Sequence, residues 1–183
     1  MASSSAVMSI GRIGGEEALD PLYSVVSEDP DELVRFHALR NYRRWRTARD
    51  DAAFKLFHTV LTYDKSPLVR EEAAVALGVK GLPGAVDTLA KATRDQAWEV
   101  AVAAAVSLGK TRDPKALEAL APLLAAKDWR LRGAGAAGTG WTNQAGAVPA
   151  LLPLLSDPEI SVARTAWEFL KRLTDRDLPL RQK

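Results

Sequence analysis

The stretch Leu68-Val-Arg-Glu-Glu-Ala-Ala-Val-Ala-Leu-Gly78 decides the fold of this 183-residue chain. Its closing Leu-Gly pair has counterparts at intervals of 31 residues, and these are Leu108-Gly109, Thr139-Gly140 and Leu170-Lys171. A fixed period of this size predicts stacked supersecondary units instead of one globular core. We therefore expect function to lie on an extended surface.

Each unit predicts a helix, a short turn and a second helix. In the clearest unit, Ala73, Ala74 and Leu77 recur at helical spacing, Gly78 and Gly84 flank the turn, and a second apolar stripe follows. Approximate units are expected at 1–29, 30–64, 65–95, 96–128, 129–157 and, as a partial unit, 158–183. They predict one repeat domain, either whole or a fragment of a longer array.

The quoted stretch, continued by Pro83-Gly-Ala-Val-Asp-Thr-Leu89, resembles the short HEAT-like repeats of the phycobilisome-lyase type. The resemblance implies an all-α, right-handed α-solenoid of about five to six two-helix repeats, with second helices lining the concave face. Relatives include scaffolds, regulatory subunits, bilin lyases and a DNA-repair branch, so the fold does not choose a function.

Composition narrows the classes of function. Apolar residues make up 47% of the chain, charged residues make up 26%, and the formal net charge is only +2. Cysteine is absent, which excludes disulfides and thiolate metal sites and fits a reducing, cytoplasmic setting. No apolar run approaches the ~18 residues of a membrane span, and the Met-Ala-Ser-Ser-Ser start lacks the pattern of a signal peptide.

The sequence holds no competent catalytic constellation. His37 and His58 are the only histidines, and two histidines without a third ligand make a weak metal site. Phosphate-binding loops, HExxH helices and Gly-x-Ser-x-Gly elbows are missing from the sequence. We therefore expect no catalytic residues, no metal and no cofactor.

The first candidate site is an arginine-rich run that replaces the repeat glycine with Arg43. Its members are Arg40, Arg43, Arg44, Trp45, Arg46 and Arg49. Arginine forks bind phosphate and carboxylate, and Trp45 offers a stacking surface. The alternative is a solvated edge with Trp45 folded over its neighbour. As a binding site, the run would take an acidic protein or nucleic acid.

The second candidate is a glycine-rich helix. Gly133, Gly135 and Gly138 lie inside it between Trp129 and Trp141, and each interior glycine costs up to ~1 kcal/mol relative to alanine. Close helix packing is the favoured explanation. A cleft walled by tryptophan is the alternative.

The third candidate is a set of side chains expected on the concave face. Its members are Phe54, Lys55, His58, Lys91 and Arg94. Aromatic and cationic groups together suit protein recognition, although the aromatic rings alternatively fill the core between helices.

A fourth pattern is expected to be structural. Acids in the turns precede early arginines, as Asp64 precedes Arg70, and we predict a ladder of Asp–Arg pairs that ties adjacent units together. Ala101 and Ala163 should interrupt it. The pair Glu71-Glu72 is expected on a solvated face.

These observations favour a non-enzymatic scaffold that binds a protein partner on its concave face or edge. Nucleic-acid binding through Arg40–Arg49 is the alternative, and a bilin-lyase-like accessory module is the third possibility. Trp167 and Phe169 on the last helix have no following unit to cover them, so the chain is expected to be either a monomer or an end-to-end dimer.

Overall fold

A computed structural model describes residues 7, 9, 15–45, 51–79, 82 and 84–175. Over these residues the regular structure is entirely helical, as the periodicity predicts. The α-helices are α1 (Leu19–Glu28), α2 (Glu32–Trp45), α3 (Asp51–Tyr63), α4 (Pro67–Leu77), α5 (Ala85–Ala92), α6 (Trp98–Lys110), α7 (Ala116–Leu120), α8 (Trp129–Thr142), α9 (Ala147–Leu151) and α10 (Ile160–Thr174). Short 3-10 segments are Glu16–Ala18, Ala121–Ala125 and Leu152–Ser156.

The helices form two rows, which makes the chain an α-solenoid. The first helices of the repeats (α2, α4, α6, α8 and α10) pack on one another in chain order. Each second helix (α1, α3, α5, α7 and α9) packs against the first helix that follows it. Part of the expected first unit, including Ile10 and Gly11, lies outside the described residues.

The repeat leucines form the centre of the core. Leu77, Leu108 and Leu170 are fully buried, and Thr139 occupies the equivalent buried position in α8. Burial removes each leucine side chain from water, which stabilises the fold by roughly 1.5–3 kcal/mol per residue. The buried apolar residues form two clusters, one from Val7 to Ala134 and one from Ala136 to Leu170, which divide within α8.

Two second helices change their winding at equivalent prolines. After α7 the chain continues as a 3-10 segment that contains Pro122, and after α9 it does so with Pro153. Proline cannot donate the backbone hydrogen bond that an α-helix interior requires. The prolines therefore shorten these α-helices in the same way in successive repeats.

The predicted Asp–Arg ladder is present, but its pairing runs forward along the chain. The Arg35 guanidinium donates to both carboxylate oxygens of Asp64, at 2.9 and 2.8 Å. Its Nη1 also donates to the carbonyl oxygen of Asp29 at 3.0 Å. The preceding turn thus supplies a carbonyl, and the turn before the next repeat supplies the carboxylate.

The same arrangement returns twice. Arg70 binds Asp95 and the Asp64 carbonyl, and Arg132 binds Asp157 and the Ala126 carbonyl. Hydrogen bonds from Arg132 hold the pKa of Asp157 below its usual range. A forked guanidinium that bridges two turns fixes the spacing of neighbouring repeats.

The ladder breaks where alanine replaces arginine, as expected. Ala101 leaves Asp128 without a partner from the preceding repeat, and Asp128 instead binds Arg130 in its own turn. Its carboxylate also accepts from the backbone N–H of Arg130 and so caps α8. In each of the three pairs the arginine binds the aspartate of the following turn and not the aspartate that precedes it, as Arg132 pairs with Asp157 and not with Asp128.

Candidate partner-binding site

A groove separates the second helices α1 and α3. The second helices α3 and α5 pack directly on each other, as do α5 and α7, whereas α1 and α3, like α7 and α9, approach each other less closely. Two adjoining cavities of about 440 and 550 Å³ fill the space between α1 and α3 and share Tyr23 in their walls. We call this space the α1–α3 groove.

Tyrosine rings and aliphatic side chains give the groove an amphipathic surface. Val26, Leu56 and Val60 contribute buried apolar atoms to its wall. Tyr23 is 40% exposed and Tyr63 is 77% exposed, so both rings are open to solvent beside these aliphatic groups. Exposed tyrosine over an apolar floor is typical of protein recognition surfaces, since the ring buries area and the hydroxyl bonds at the rim.

The two ends of the groove differ in charge. At one end lie the C-termini of α1 and α3 with the exposed carboxylate of Glu28, and helix C-termini carry partial negative charge. Arg35 also borders this end, but Asp64 neutralises it, which leaves Lys65 as the opposing cation. A cationic group of a bound ligand is therefore favoured at this end if that group lies nearer to Glu28 than to Lys65.

At the opposite end lie the N-termini of α1 and α3, which carry partial positive charge. Asp20, Asp51 and Lys55 line it with Tyr42 as a deeper ring. The Tyr42 ring meets that of Tyr23 edge-to-face at 6.2 Å between centroids, which fixes the Tyr23 ring in place.

The structure separates the residues predicted for the concave face. Lys55 lies in the groove, whereas Lys91 and Arg94 are exposed at the end of α5. His58 stacks on Phe54, and its Nδ1 lies 2.9 Å from the Thr88 hydroxyl on α5. Phe54 also covers Gly84, whose Cα has no room for a bulky side chain on that side. Phe54 and His58 therefore join α3 to α5, as the core-filling alternative held.

The arginine-rich run forms a pocket on the outer side of α2. This cationic pocket has a volume of about 460 Å³ and is lined by His37, Arg40, Asn41, Arg43 and Arg44. Trp45 is partly exposed at the helix end, with the Arg44 guanidinium 6.0 Å from its ring centroid. The predicted members Arg46 and Arg49 lie outside the described residues.

Arg43 has a structural partner that the sequence does not predict. Its Nε donates to the Oε1 of Glu72 on α4 at 2.7 Å. Glu72 is buried and its neighbour Glu71 is half-buried, so the expectation of a solvated acidic face is wrong. Burial, together with the nearby charges of Glu99 and Glu72, raises the pKa of Glu71.

The glycine-rich helix α8 is closely packed where its glycines lie. A methyl group on Gly135 would lie 2.8 Å from Leu123 Cβ, and one on Gly138 would lie 2.9 Å from Leu120 Cδ2 and overlap the Ala105 carbonyl. Leu120 and Leu123 thus occupy the volume that side chains would otherwise fill. Close packing, the favoured explanation, is confirmed at these two positions.

The tryptophans beside this helix do not wall a cleft. Trp141 packs edge-to-face on Phe169, with the Arg172 guanidinium 4.4 Å from its ring centroid. Trp129 is exposed at the start of α8. Gly133 alone has open room, since its nearest neighbour would be Val162 Cγ2 at 3.8 Å.

Sequence reasoning missed Tyr23 and Tyr63. Tyr63 follows Ala53, Leu56 and Val60 at helical spacing, so the pattern alone places it on the buried stripe of α3. It is exposed because it lies at the helix end, beside the gap between α1 and α3.

Two classes of site receive no support from the described part of the chain. It contains no group of three or more His, Cys, Asp or Glu side chains placed to hold a metal ion. Its helices include none that is both long and apolar enough to cross a membrane.

Comparison with known proteins confirms the resemblance to HEAT repeats. Residues 54–139 match the family model for HEAT repeats. Among curated proteins, no sequence match is found.

Solved structures share the architecture at low identity. A crystal structure of an engineered protein aligns with a TM-score of 0.64 and 21% identity, over 96% of this chain and 87% of that one. Human deoxyhypusine hydroxylase gives 0.58 and 21%, over 94% and 68%. A designed armadillo repeat protein in complex with the peptide (KR)4 gives 0.57 and 22%, over 91% and 92%. These likenesses establish the α-solenoid fold.

Proposed function

We propose that this chain is a non-enzymatic scaffold that binds a peptide segment of a partner protein in the α1–α3 groove. The observation that carries the proposal is the pair of exposed rings, Tyr23 and Tyr63, over buried aliphatic side chains. Large exposed aromatics at a concave apolar site supply most of the binding energy in protein interfaces. The resemblance to HEAT repeats implies that the second helices, which form this groove, line the concave face.

The preferred occupant carries apolar side chains followed by a lysine or arginine. The apolar groups would cover the aliphatic floor, and the cation would lie near Glu28 and the C-termini of α1 and α3. A designed armadillo repeat protein of this fold is in complex with the peptide (KR)4, so a basic peptide is compatible with the fold. The absence of cysteine fits a cytoplasmic location, which is part of the proposal.

A displayed library of random peptides tests the groove against partner segments of any sequence. We expect selection on the purified chain to enrich peptides that combine apolar residues with lysine or arginine. Tyr23→Ser together with Tyr63→Ser should weaken the best peptide at least tenfold, because both rings lose their contact area. Glu28→Lys should also weaken it, through repulsion of the peptide cation.

Glu118→Ala is the matched control, since Glu118 is an exposed acid on α7 outside the groove. It should leave the dissociation constant within about twofold of the original value. The groove is not the binding site if selection yields no consensus, or if the tyrosine and Glu118 variants bind the selected peptide equally well.

Nucleic-acid binding is the second candidate, and one observation favours it. Arg40 and Arg44 are exposed and make no ion pair with a described acid. Binding of a labelled oligonucleotide should then fall steeply with salt and weaken in Arg40→Ala and Arg44→Ala. Binding that is absent at low salt would remove this candidate.

The third possibility, a bilin-lyase-like module, receives less support. A substrate-sized cleft beside Gly133–Gly140 would favour it, but at Gly135 and Gly138 leucine side chains and the α6 backbone fill that volume.

A further inference from the structure

We propose that the cationic pocket on α2 binds a compact phosphoryl dianion, carried on a phosphorylated side chain of a partner protein or free as phosphate. The pocket lies on a first helix, whereas the α1–α3 groove lies between second helices, so this site is separate from the proposed peptide groove. Its occupation does not depend on what the groove binds.

Two of the three arginines that line this pocket have no acidic partner among the described residues. Arg35, Arg70 and Arg132 each form two hydrogen bonds with an aspartate. In contrast, neither Arg40 nor Arg44 has an acidic partner among the described residues, and both are exposed.

Arg43 adds a fixed donor to the same pocket. Its Nε is held by Glu72, and its side chain remains 37% exposed. Because the ion pair uses Nε alone among the described contacts, the terminal nitrogens of Arg43 can donate to a ligand. Glu72 thereby positions one cation while the other two approach from neighbouring turns.

The repeat pattern does not require arginine at these positions. Counted from the equivalent residues Arg35 and Arg70, the position of Arg40 is taken by Val75 in the next repeat. A further 31 residues on it is Val106. Arg43 likewise stands where the next repeat has Gly78. Arg40 breaks the repeat pattern and has no acidic partner among the described residues, which makes it a candidate for ligand binding, whereas Arg43 is held by Glu72.

The cations of this pocket are confined to one repeat, so the pocket suits a compact anion better than a nucleic-acid strand. Binding along a strand requires cations that follow successive phosphates, and affinity grows with the number neutralised. Valine occupies the Arg40 position in the next two repeats, so the cations do not continue along the row of first helices. A single multivalent anion needs no such continuation.

A phosphoryl group fits the donors and the space. Arginine forks bind tetrahedral oxyanions through paired N–H donors, and Arg40 and Arg44 lie one helical turn apart on the same side. The volume of about 460 Å³ lies within the range of small-ligand sites. It therefore leaves room for the side chain that carries the phosphoryl group.

Two probes test the site and identify the source of the anion. The first is inorganic phosphate, followed by the amide signals of residues 37–44 in NMR spectra. The second is a degenerate peptide library with a fixed phosphoserine, measured beside the same library with serine. Tighter binding of the phosphopeptides than of phosphate, by tenfold or more, indicates a partner protein. Equal affinity indicates free phosphate, and both results support a phosphoryl site.

The decisive variant is Arg40→Ala with Arg44→Ala, and its control is Arg94→Ala with Arg164→Ala. Both pairs remove two exposed arginines, but only the first pair lines the pocket. We expect at least tenfold weaker binding in the first and less than twofold change in the second, with unchanged thermal unfolding in both. Tyr23→Ser and Tyr63→Ser should leave phosphate binding unchanged, which separates this site from the groove.

Three results would overturn the proposal. The first is that neither phosphate nor the phosphopeptides bind. The second is that the two double variants bind phosphate equally well. The third is that a single-stranded or duplex oligonucleotide binds tenfold more tightly than any phosphopeptide, and that its affinity falls with salt concentration as steeply as several phosphate contacts require. This result would assign the pocket to nucleic acid.

Discussion

At the scale of single residues, the arginines of this chain divide by what they contact. The ladder arginines hold turns of adjacent repeats together, whereas Arg40 and Arg44 face solvent. The sequence predicts the ladder because Asp and Arg recur at turns and early helix positions. It does not predict that each arginine pairs with the following turn, since that choice depends on how closely neighbouring repeats stack.

Replacement of a ladder arginine should destabilise the fold strongly. In the Arg35–Asp64 pair the side chains are only 6% and 9% exposed. Arg35→Met removes the cation and leaves a buried carboxylate without its partner, which we expect to cost about 3 kcal/mol of unfolding free energy. Denaturant titration at pH 7 measures this loss of unfolding free energy.

Arg130→Met is the comparison, since the Arg130–Asp128 pair is 37% and 30% exposed. Water solvates the remaining carboxylate, so the loss should be much smaller than in Arg35→Met. Similar losses in the two variants would show that the ladder does not stabilise the stack.

Glu71 should give the stability of the protein a distinctive pH dependence. Burial is the main cause of its raised pKa, with Glu99 and Glu72 adding like charge. Ionisation therefore costs free energy in the folded state as pH rises from the unfolded pKa of about 4.3 through the raised value. Glu71→Gln should therefore stabilise the fold slightly at pH 7, and this gain should vanish below about pH 4.3.

Unfolding free energies at pH 7 and at pH 4 measure this difference directly. Glu118→Gln, at an exposed position on α7, should change stability little at either pH. A gain from Glu71→Gln that persists undiminished in acid would show that packing, and not ionisation, is responsible.

At the scale of helices, the glycines of α8 explain an apparent weakness in the sequence. Helix propensity alone disfavours Gly133, Gly135 and Gly138. The structure supplies the compensation, because Gly138 lets α8 approach the backbone of α6 at Ala105. Sequence reasoning could infer close packing from glycine, but not which glycines are needed, because that depends on the helix that crosses at each position.

The two ends of this glycine series should respond in opposite directions to alanine. Gly138→Ala forces a methyl group against the Ala105 carbonyl and Leu120, so we expect a loss of about 1–3 kcal/mol. Gly133→Ala meets only Val162 at 3.8 Å and should gain up to about 1 kcal/mol from helix propensity. Thermal and denaturant unfolding measure both, and losses of equal size would contradict the packing account.

At the scale of the whole molecule, the repeat predicts the architecture and its irregularities locate the candidate sites. Residues 77–78 and their counterparts at intervals of 31 specify helix length and core position well enough to predict the solenoid. The groove is different, since it arises from the wider separation of α1 and α3. No local pattern encodes that distance, which is why Tyr23 and Tyr63 escaped prediction while the arginine-rich run was found.

The outer surface of α10 bears on the choice between a monomer and an end-to-end dimer. Arg164, Glu168, Lys171 and Arg172 are exposed along this helix. Phe169 is half-buried against Trp141, and Lys171 lies 5.2 Å from the ring centroid of the half-buried Trp167. The expectation that these two aromatic rings lack cover is therefore corrected, because their own chain partly covers them.

A charged outer face disfavours stacking of a second chain on α10, because desolvation of the charges costs free energy that little apolar contact offsets. We therefore expect light scattering after gel filtration to give the mass of one chain at every concentration tested. Ile160 is the one large apolar residue of α10 exposed by more than half, at 58%, so Ile160→Glu should leave this mass unchanged. A dimer that Ile160→Glu dissociates would contradict the argument and place the contact at the start of α10.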